Sequence, residues 1–230
     1  MLRIDRLHLT WGSFTLSADL TVERGARIAV VGPSGAGKST LLSAIAGFAP
    51  PGTGAILWDG KRIDGLPPWQ RPVAMLFQDS NLFPHLTVAR NVALALNPRR
   101  RPSPADQERV AEMLARVGLD GMGERKPGQL SGGQQSRAAL ARVLLMDRPL
   151  VLLDEPFAAL GPGLKDEMLA LATGMLAEAG RTLMLVTHDP DEARALADGI
   201  VIVAGGEVTG PHPVAVLDNP PPALAEWLGR

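Results

Sequence analysis

The sequence predicts an α/β fold, in which a largely parallel sheet is covered by helices and carries an antiparallel β part and an inserted helical part. The first observation is a set of short apolar runs, because continuous rather than alternating hydrophobicity is typical of parallel strands buried on both faces. These runs are Ile28–Val31, Val73–Phe77, Leu150–Leu153 and Leu183–Val186. The second observation is that segments with helical spacing lie between the runs, which favours helices on both faces of the sheet.

The other elements are predicted from local patterns. Residues 1–27 and 54–63 have the composition and tight turns of antiparallel strands, and Ile200–Thr209 predicts a hairpin around Gly205 and Gly206. Apolar residues at helical spacing predict helices over Ser39–Phe48, Ser103–Val117, Gln134–Met146, Lys165–Ala179 and Asp191–Ala197. The segment of about 79–148 contains no strand-like run. We therefore expect a helical subdomain there, inserted into a core formed by residues 1–78 and 149–230.

The composition excludes several classes of protein. The chain has 230 residues, 23 basic and 24 acidic side chains, a net charge of −1 and no cysteine. Without cysteine there is no disulfide framework, thiol nucleophile or thiolate metal site. The near-zero charge argues against a nucleic-acid binder. Charges near the amino terminus argue against a signal peptide, and no apolar stretch is long enough for a membrane span.

A phosphate-binding pattern lies between the first apolar run and the first predicted helix. The pattern is G-x-x-x-x-G-K-[ST], in which glycines let backbone N–H groups wrap the phosphates and the helix terminus adds a favourable dipole. We expect Lys38 to reach the β and γ oxygens and the Ser39 hydroxyl to bind Mg²⁺. The residues of this predicted P-loop are Gly32, Pro33, Ser34, Gly35, Ala36, Gly37, Lys38, Ser39 and Thr40.

Polar side chains follow three of the apolar runs, at the sheet edge where α/β proteins bind their ligands. Asp154 and Glu155 follow Leu150–Leu153; Asp154 is the candidate Mg²⁺ ligand, and Glu155 the candidate group that orients or deprotonates the attacking water. Gln78 follows Phe77 and is predicted to sense Mg²⁺ and water. His188 follows the run ending at Val186, after Thr187, and is predicted to contact the γ-phosphate or to hold the water with Glu155.

A second glycine-rich helix start is present at Leu130–Gln134, with residues Ser131, Gly132, Gly133 and Gln134. One interpretation is an ordinary helix cap. The other is a second phosphate cradle that faces a nucleotide held by another copy of the chain. In that case a two-fold dimer with two shared ATP sites follows, since an isologous contact repeats each pairing twice.

Together these motifs resemble the nucleotide-binding subunit of ATP-binding cassette (ABC) transporters, over almost the whole chain, residues 1–230 as one domain. The resemblance implies a RecA-like P-loop NTPase core with an antiparallel β subdomain and a helical subdomain. It also implies ATP and Mg²⁺ bound between the P-loop of one protomer and the Ser131–Gln134 signature of a second copy. In that family an aromatic residue near the amino terminus stacks on adenine, and Trp11 matches its position.

The sequence departs from the family pattern in two places. Gly161 stands where the family usually has an aspartate that communicates between the two sites, so we expect a working but less cooperative ATPase. Gln135 and Ser136 replace the more frequent Arg-Gln after the signature, which is expected to weaken one phosphate or dimer contact.

The resemblance also implies an output. In importers of this family the region of Leu82, Phe83, Pro84 and Leu86 receives a short cytoplasmic helix of the transmembrane permease; the alternative is that these residues only seal the helical subdomain against the core. The subunit would be peripheral at the cytoplasmic face of the membrane, with a solute-binding protein as an indirect partner.

The cargo is predicted from similarity alone. Three stretches, 71–78, 81–83 and 93–98, are most similar to thiamine-importer ATPases, so thiamine or its phosphate ester is the favoured cargo. Import of another small solute, such as a polyamine, metal or anion, is the main alternative, and a soluble ABC ATPase without a transport role is a further one.

Overall fold

The computed structural model describes residues 1–79, 81–158, 160–225 and 227. Its strands form one mixed sheet in the order β5-β4-β1-β2-β10-β9-β3-β8-β7-β6. The strands are β1 (Leu2–Trp11), β2 (Phe14–Val22), β3 (Arg27–Val31), β4 (Thr53–Trp58), β5 (Lys61–Arg62), β6 (Val73–Leu76), β7 (Leu150–Asp154), β8 (Thr182–Val186), β9 (Gly199–Ala204) and β10 (Glu207–His212).

Three of the four predicted apolar runs form the adjacent strands β3, β8 and β7. The fourth, Val73–Phe77, contains β6, which is the edge strand and is buried only at alternate residues, so the expectation of burial on both faces is wrong for this run. β8 pairs in parallel with β3 on one side and with β7 on the other, and every residue of β7 and β8 is buried. This burial explains the continuous hydrophobicity of these strands. β9 also pairs in parallel with β3, which the hairpin prediction did not include. The same strand pairs antiparallel with β10, so it joins the parallel core to the antiparallel strands.

The described helices are α1 (Lys38–Ala46), α2 (Val88–Ala93), α3 (Pro104–Arg116), α4 (Gly132–Leu145), α5 (Pro162–Glu178), α6 (Pro190–Leu196) and α7 (Pro222–Ala225). The predicted start of α3 is confirmed, since Ser103 and Asp106 form a reciprocal capping box. Gly118 follows the end of that helix with a positive φ of 66°, a conformation that glycine adopts without strain. None of the described helices is both long and apolar enough to cross a membrane.

The chain divides into two compact units. The first contains residues 1–74, 149–154 and 180–230, and the second contains residues 75–148 and 155–179. The predicted helical insertion of about 79–148 falls in the second unit, which also includes α5. Within this unit α4 packs against α2, α3 and α5.

A buried arginine fixes the C-terminal end of α1 in the first unit. Arg71 is 2% exposed and donates hydrogen bonds of 2.8 and 2.9 Å to the carbonyls of Ala44 and Ile45, in the last turn of α1. It also donates to the carbonyls of Leu66 and Asp64. Burial lowers the pKa of the Arg71 guanidinium. The cation therefore supplies hydrogen-bond donors and a positive charge to carbonyls in the last turn of α1, where the helix dipole is negative.

Candidate functional site

The P-loop joins β3 to α1 in the first unit, and its backbone is of a kind that glycine adopts most easily. Gly32, Gly35 and Gly37 have φ values of 146°, 75° and 106°. Gly37 is the N-cap of α1, so no side chain is available there to accept hydrogen bonds from the first helical turn. The N–H groups of this turn point toward the loop, as a phosphate cradle requires.

Neighbouring strands pack closely against this loop. A Cβ atom on Gly32 would lie 2.0 Å from the carbonyl oxygen of Val203 in β9, and one on Gly37 would lie 2.6 Å from Cζ of Phe14. No side chain larger than hydrogen fits at either position without displacing its neighbour. A Cβ on Gly35 would meet nothing within 4 Å, so at this position glycine is favoured by its positive φ and not by crowding.

Lys38 lies inside the curve of the loop. It is 8% exposed, and its Nζ donates hydrogen bonds of 2.8 Å to the carbonyls of both Gly32 and Pro33. The ammonium group is therefore held within the predicted phosphate cradle. This position fits the role predicted for Lys38, binding of the terminal phosphate oxygens.

Trp11 is brought to the same region by the hairpin of β1 and β2. It is 71% exposed and pairs with Phe14, the residue whose ring lies beside Gly37. The indole is therefore exposed in the hairpin that carries Phe14 to the P-loop, and its stacking on adenine stays a prediction. Sequence reasoning missed Phe14, because a single phenylalanine in a strand carries no signal of contact with a distant glycine.

The metal-binding prediction rests on oxygen ligands in the first unit. Asp154 is the last residue of β7 and is buried, and α1, which carries the exposed Ser39 in its first turn, packs against β7. A hydroxyl and a carboxylate are the ligands that Mg²⁺ takes in nucleotide sites, where water and phosphate oxygens complete its shell. The donor set therefore fits Mg²⁺. Among the described residues no group of three or more acidic or histidine side chains forms a metal site by itself.

His188 follows β8 at the edge from which the P-loop also leaves the sheet. Val186 of β8 pairs with Val30 of β3, and His188 is exposed two residues later. Two buried neighbours, Thr187 and Glu192, are hydrogen-bonded to each other beside it. Sequence reasoning did not select either of them, since neither residue type indicates such a contact.

The second unit brings together two of the predicted catalytic residues. Gln78 Nε2 donates a hydrogen bond of 3.4 Å to Glu155 Oε2, although 77 positions separate them in sequence. Glu155 has a φ of 48°, a left-handed conformation that costs free energy in a residue with a side chain. The carboxylate that directly follows Asp154 is thus held in a strained backbone and contacts the amide predicted to sense metal and water.

The signature forms the first turn of α4, also in the second unit. The Ser131 hydroxyl accepts a hydrogen bond of 3.3 Å from Gln134 N, and Gln134 Oε1 accepts one of 3.0 Å from Ser131 N. Ser131 and Gly132 are exposed. Ser136, one of the departures from the family pattern, is buried and donates to the carbonyl of Gly132. This side chain therefore points back along the helix.

Comparison with known proteins identifies the family. A model of the family described as "ABC transporter" matches residues 16–158, which include the P-loop, Gln78, the signature, Asp154 and Glu155. The chain belongs to the ABC transporter family. Among curated relatives, this ABC transporter chain is 57% identical over 230 residues to the thiamine import ATP-binding protein ThiQ of Cereibacter sphaeroides, and both chains are covered completely. It is 56% identical to the protein of that name from Ruegeria sp., again over the whole of both chains.

Solved structures show the same fold. The ATP-binding cassette MJ0796, in a dimeric post-hydrolysis state bound to ADP and Pi, is 30% identical and superimposes with a TM-score of 0.83 over 93% of this chain and 99% of its own. The predicted α/β fold with a P-loop NTPase core is thereby confirmed for this ABC transporter subunit, as is its assignment as an ATP-binding protein. The roles of individual residues remain predictions.

Proposed function

We propose that this chain is the ATP-hydrolysing subunit of an importer for thiamine or thiamine phosphates. The observation that carries the ATPase role is the hydrogen bond between Gln78 and Glu155, at the residue directly after Asp154. The cargo is supported by the full-length similarity to thiamine import ATP-binding proteins, at 57% and 56% identity.

The proposed chemistry assigns one task to each group. The P-loop N–H groups and Lys38 bind the triphosphate, while Trp11 stacks on the adenine. Ser39, Asp154 and Gln78 would hold Mg²⁺, which neutralises phosphate charge when it is bound. Glu155 orients or deprotonates the attacking water, and its contact with Gln78 restricts the directions in which the carboxylate can point.

His188 completes this set of residues. We assign it to the γ-phosphate or to the water held with Glu155, where an imidazole can donate a hydrogen bond to developing negative charge. Its location at the edge of the sheet from which the P-loop begins supports this role.

We further propose that two copies of the chain share two ATP molecules. The exposed first turn of α4, with Ser131 as its N-cap, would contact the nucleotide bound at the P-loop of the second copy. The dimeric state of the solved ABC cassettes supports this assembly.

The output surface proposed for the permease is the segment Leu82–Leu86. Phe83 in this segment is 45% exposed. Asn91, which is fully buried, accepts from Phe83 N at 2.7 Å and donates to the carbonyls of Phe83, Leu86 and Thr87. The segment is therefore held in one conformation with an aromatic side chain at its surface, as a docking site for a short permease helix requires. Docking there would place the subunit peripherally at the cytoplasmic face of the membrane, with a solute-binding protein as an indirect partner.

The test is uptake of labelled thiamine by a strain from which the gene for this chain has been deleted. Wild-type chain supplied in trans should restore uptake, and Lys38→Ala should not. Labelled putrescine, measured in parallel, distinguishes the alternative cargo. Restored uptake of putrescine without any change in thiamine uptake would disprove the cargo assignment while leaving the ATPase assignment intact.

A further inference from the structure

Thr187 and Glu192 form a buried pair that the proposed chemistry does not use. Both lie in the first unit, Thr187 directly after β8 and Glu192 in the first turn of α6, and they are 1% and 8% exposed. The Thr187 hydroxyl donates a hydrogen bond to the Glu192 carboxylate. A carboxylate in such a dry position is costly unless it is hydrogen-bonded, so its presence calls for a physical reason.

Thr187 directly precedes His188 in the sequence, and Glu192 follows it by four residues. Thr187 Oγ1, besides donating to Glu192, accepts a hydrogen bond of 3.0 Å from Asp189 N. One hydroxyl therefore binds the chain on the far side of His188 while it is itself fixed to α6. Asp189 in turn caps α6 by accepting from Asp191 N at 2.9 Å. The backbone on both sides of His188 is thus tied to the same helix.

The other side of this loop is tied to the sheet. Thr187 N lies 3.4 Å from the carbonyl of Val30, the residue of β3 that precedes Val31 and the P-loop. The exposed imidazole of His188 is consequently carried on a backbone fixed at two points, the end of β3 and the first turn of α6. These two attachments set where the His188 side chain begins and in which direction it leaves the backbone.

We propose that Glu192, acting through the Thr187 hydroxyl, is a positioning residue that sets where His188 stands relative to the P-loop. This inference rests on the catalytic role of His188 proposed above. Removal of the hydroxyl would break its hydrogen bonds to the Asp189 amide and to the Glu192 carboxylate together. The imidazole would then occupy a wider range of positions, and misplacement by about 1 Å is enough to slow catalysis strongly without loss of binding.

The test uses Thr187→Val, Thr187→Ser and Glu192→Gln, with Thr182→Val as a matched control. Thr182 is a fully buried threonine at the opposite end of β8, and its hydroxyl accepts a hydrogen bond from Gly25 N. Thr187→Val should lower kcat for ATP about tenfold with KM changed less than twofold. Thr187→Ser should retain most of kcat because the hydroxyl is kept. The kcat of Glu192→Gln should lie between those of Thr187→Val and Thr187→Ser. Thr182→Val should leave kcat unchanged.

The decisive measurement combines Thr187→Val with His188→Ala under single-turnover conditions. If Thr187 acts through His188, Thr187→Val should cause no further loss of rate in a chain that already carries His188→Ala. An equal tenfold loss in both backgrounds would overturn the proposal, as would a Thr187→Val effect confined to KM or matched by Thr182→Val. If His188→Ala alone keeps full activity, the proposed role of His188 itself is wrong.

A spectroscopic measurement gives an answer that does not depend on turnover. The chain contains 4 histidines, so the ring resonance of His188 can be assigned by its loss in His188→Ala. Thr187→Val should shift or broaden this resonance and leave those of the other three unchanged. An unchanged His188 resonance in that variant would refute the positioning role.

Discussion

The P-loop and the signature each end in the N-terminus of a helix, yet the two termini are built differently. At α1 the N-cap is Gly37, in a left-handed conformation, and Lys38 bonds to carbonyls of the preceding loop. At α4 the N-cap is Ser131, and a reciprocal capping box with Gln134 satisfies the N–H groups of these two residues. α1 therefore presents its N–H groups within a cradle, whereas α4 is a capped helix with an exposed tip.

This difference indicates a division of labour. A cradle that surrounds a phosphate with several N–H groups and a lysine can hold a nucleotide by itself. A capped helix end has fewer free donors, so it is suited to complete a site that is already occupied. The comparison predicts that damage to α1 abolishes binding, whereas damage to α4 reduces hydrolysis and leaves binding in place.

The largest expected effect is that of Lys38→Ala. Removal of the ammonium group leaves the triphosphate without its only predicted cationic contact in the loop, so tight ATP binding should be lost along with hydrolysis. Equilibrium binding of a fluorescent ATP analogue measures this directly. Binding of ATP at wild-type affinity by Lys38→Ala would contradict the role assigned to the α1 terminus.

The next effect is that of Glu155→Gln, which tests whether the two termini meet at one nucleotide. The amide keeps the size of the side chain but does not accept a proton from water, so hydrolysis should fall by roughly 10²-fold or more. ATP binding should persist, and the dimer should accumulate because its nucleotide is not consumed. Solution scattering with saturating Mg-ATP checks this, and a particle that stays at the mass of one chain counts against sharing of ATP between copies.

A smaller effect is expected for Ser131→Ala, with Ser103→Ala as its matched control. Both serines are N-caps with capping boxes in the second unit, at α4 and α3 respectively. Each substitution should cost about 1 kcal/mol of stability, because one hydrogen bond to the first helical turn is lost. Thermal melting measures that loss, and ATPase assays should show reduced turnover for Ser131→Ala only. Equal ATPase losses in the two variants would mean that the α4 terminus acts only through stability.

The smallest effect is expected for Gly161→Asp. Gly161 is the N-cap of α5 and has an extended backbone with φ of −70°, and a Cβ atom added to it would meet nothing within 4 Å. An aspartate fits there and should add a few tenths of a kcal/mol by capping α5. If this position communicates between the two sites, the Hill coefficient for ATP should also rise. If Gly161→Asp changes neither the Hill coefficient nor the ATPase rate, the prediction that Gly161 lowers the cooperativity between the two ATP sites is wrong.

The sequence predicts those parts of this molecule that depend on local pattern. Buried strands, the helix that begins after Ser103 and the P-loop have characteristic residue types at fixed spacing, and the structure contains each of them. The contact of Gln78 with Glu155 was expected only from their shared position after strands. Its geometry required the fold, because the two residues are distant in sequence.

Other features could not be predicted because their partners are backbone atoms or residues of unremarkable type. Arg71 binds backbone carbonyls, which every residue has, so the sequence gives no signal for these contacts. The contact of Phe14 with Gly37 depends on the position of the β1–β2 hairpin, which the residue type does not indicate. The parallel pairing of β9 with β3 was not predicted either. A hairpin pattern indicates that β9 pairs with β10, but it gives no information on which strand lies on the other side of β9.

The guanidinium of Arg71 has a consequence for how the chain responds to alkaline conditions. A lysine in the same dry pocket would begin from a pKa near 10.4, which burial would bring down toward the range where the amine loses its proton. Arginine starts so much higher that the same burial leaves it charged. The C-terminal end of α1 therefore keeps a positive charge beside its carbonyls under alkaline conditions in which a buried lysine would lose its proton.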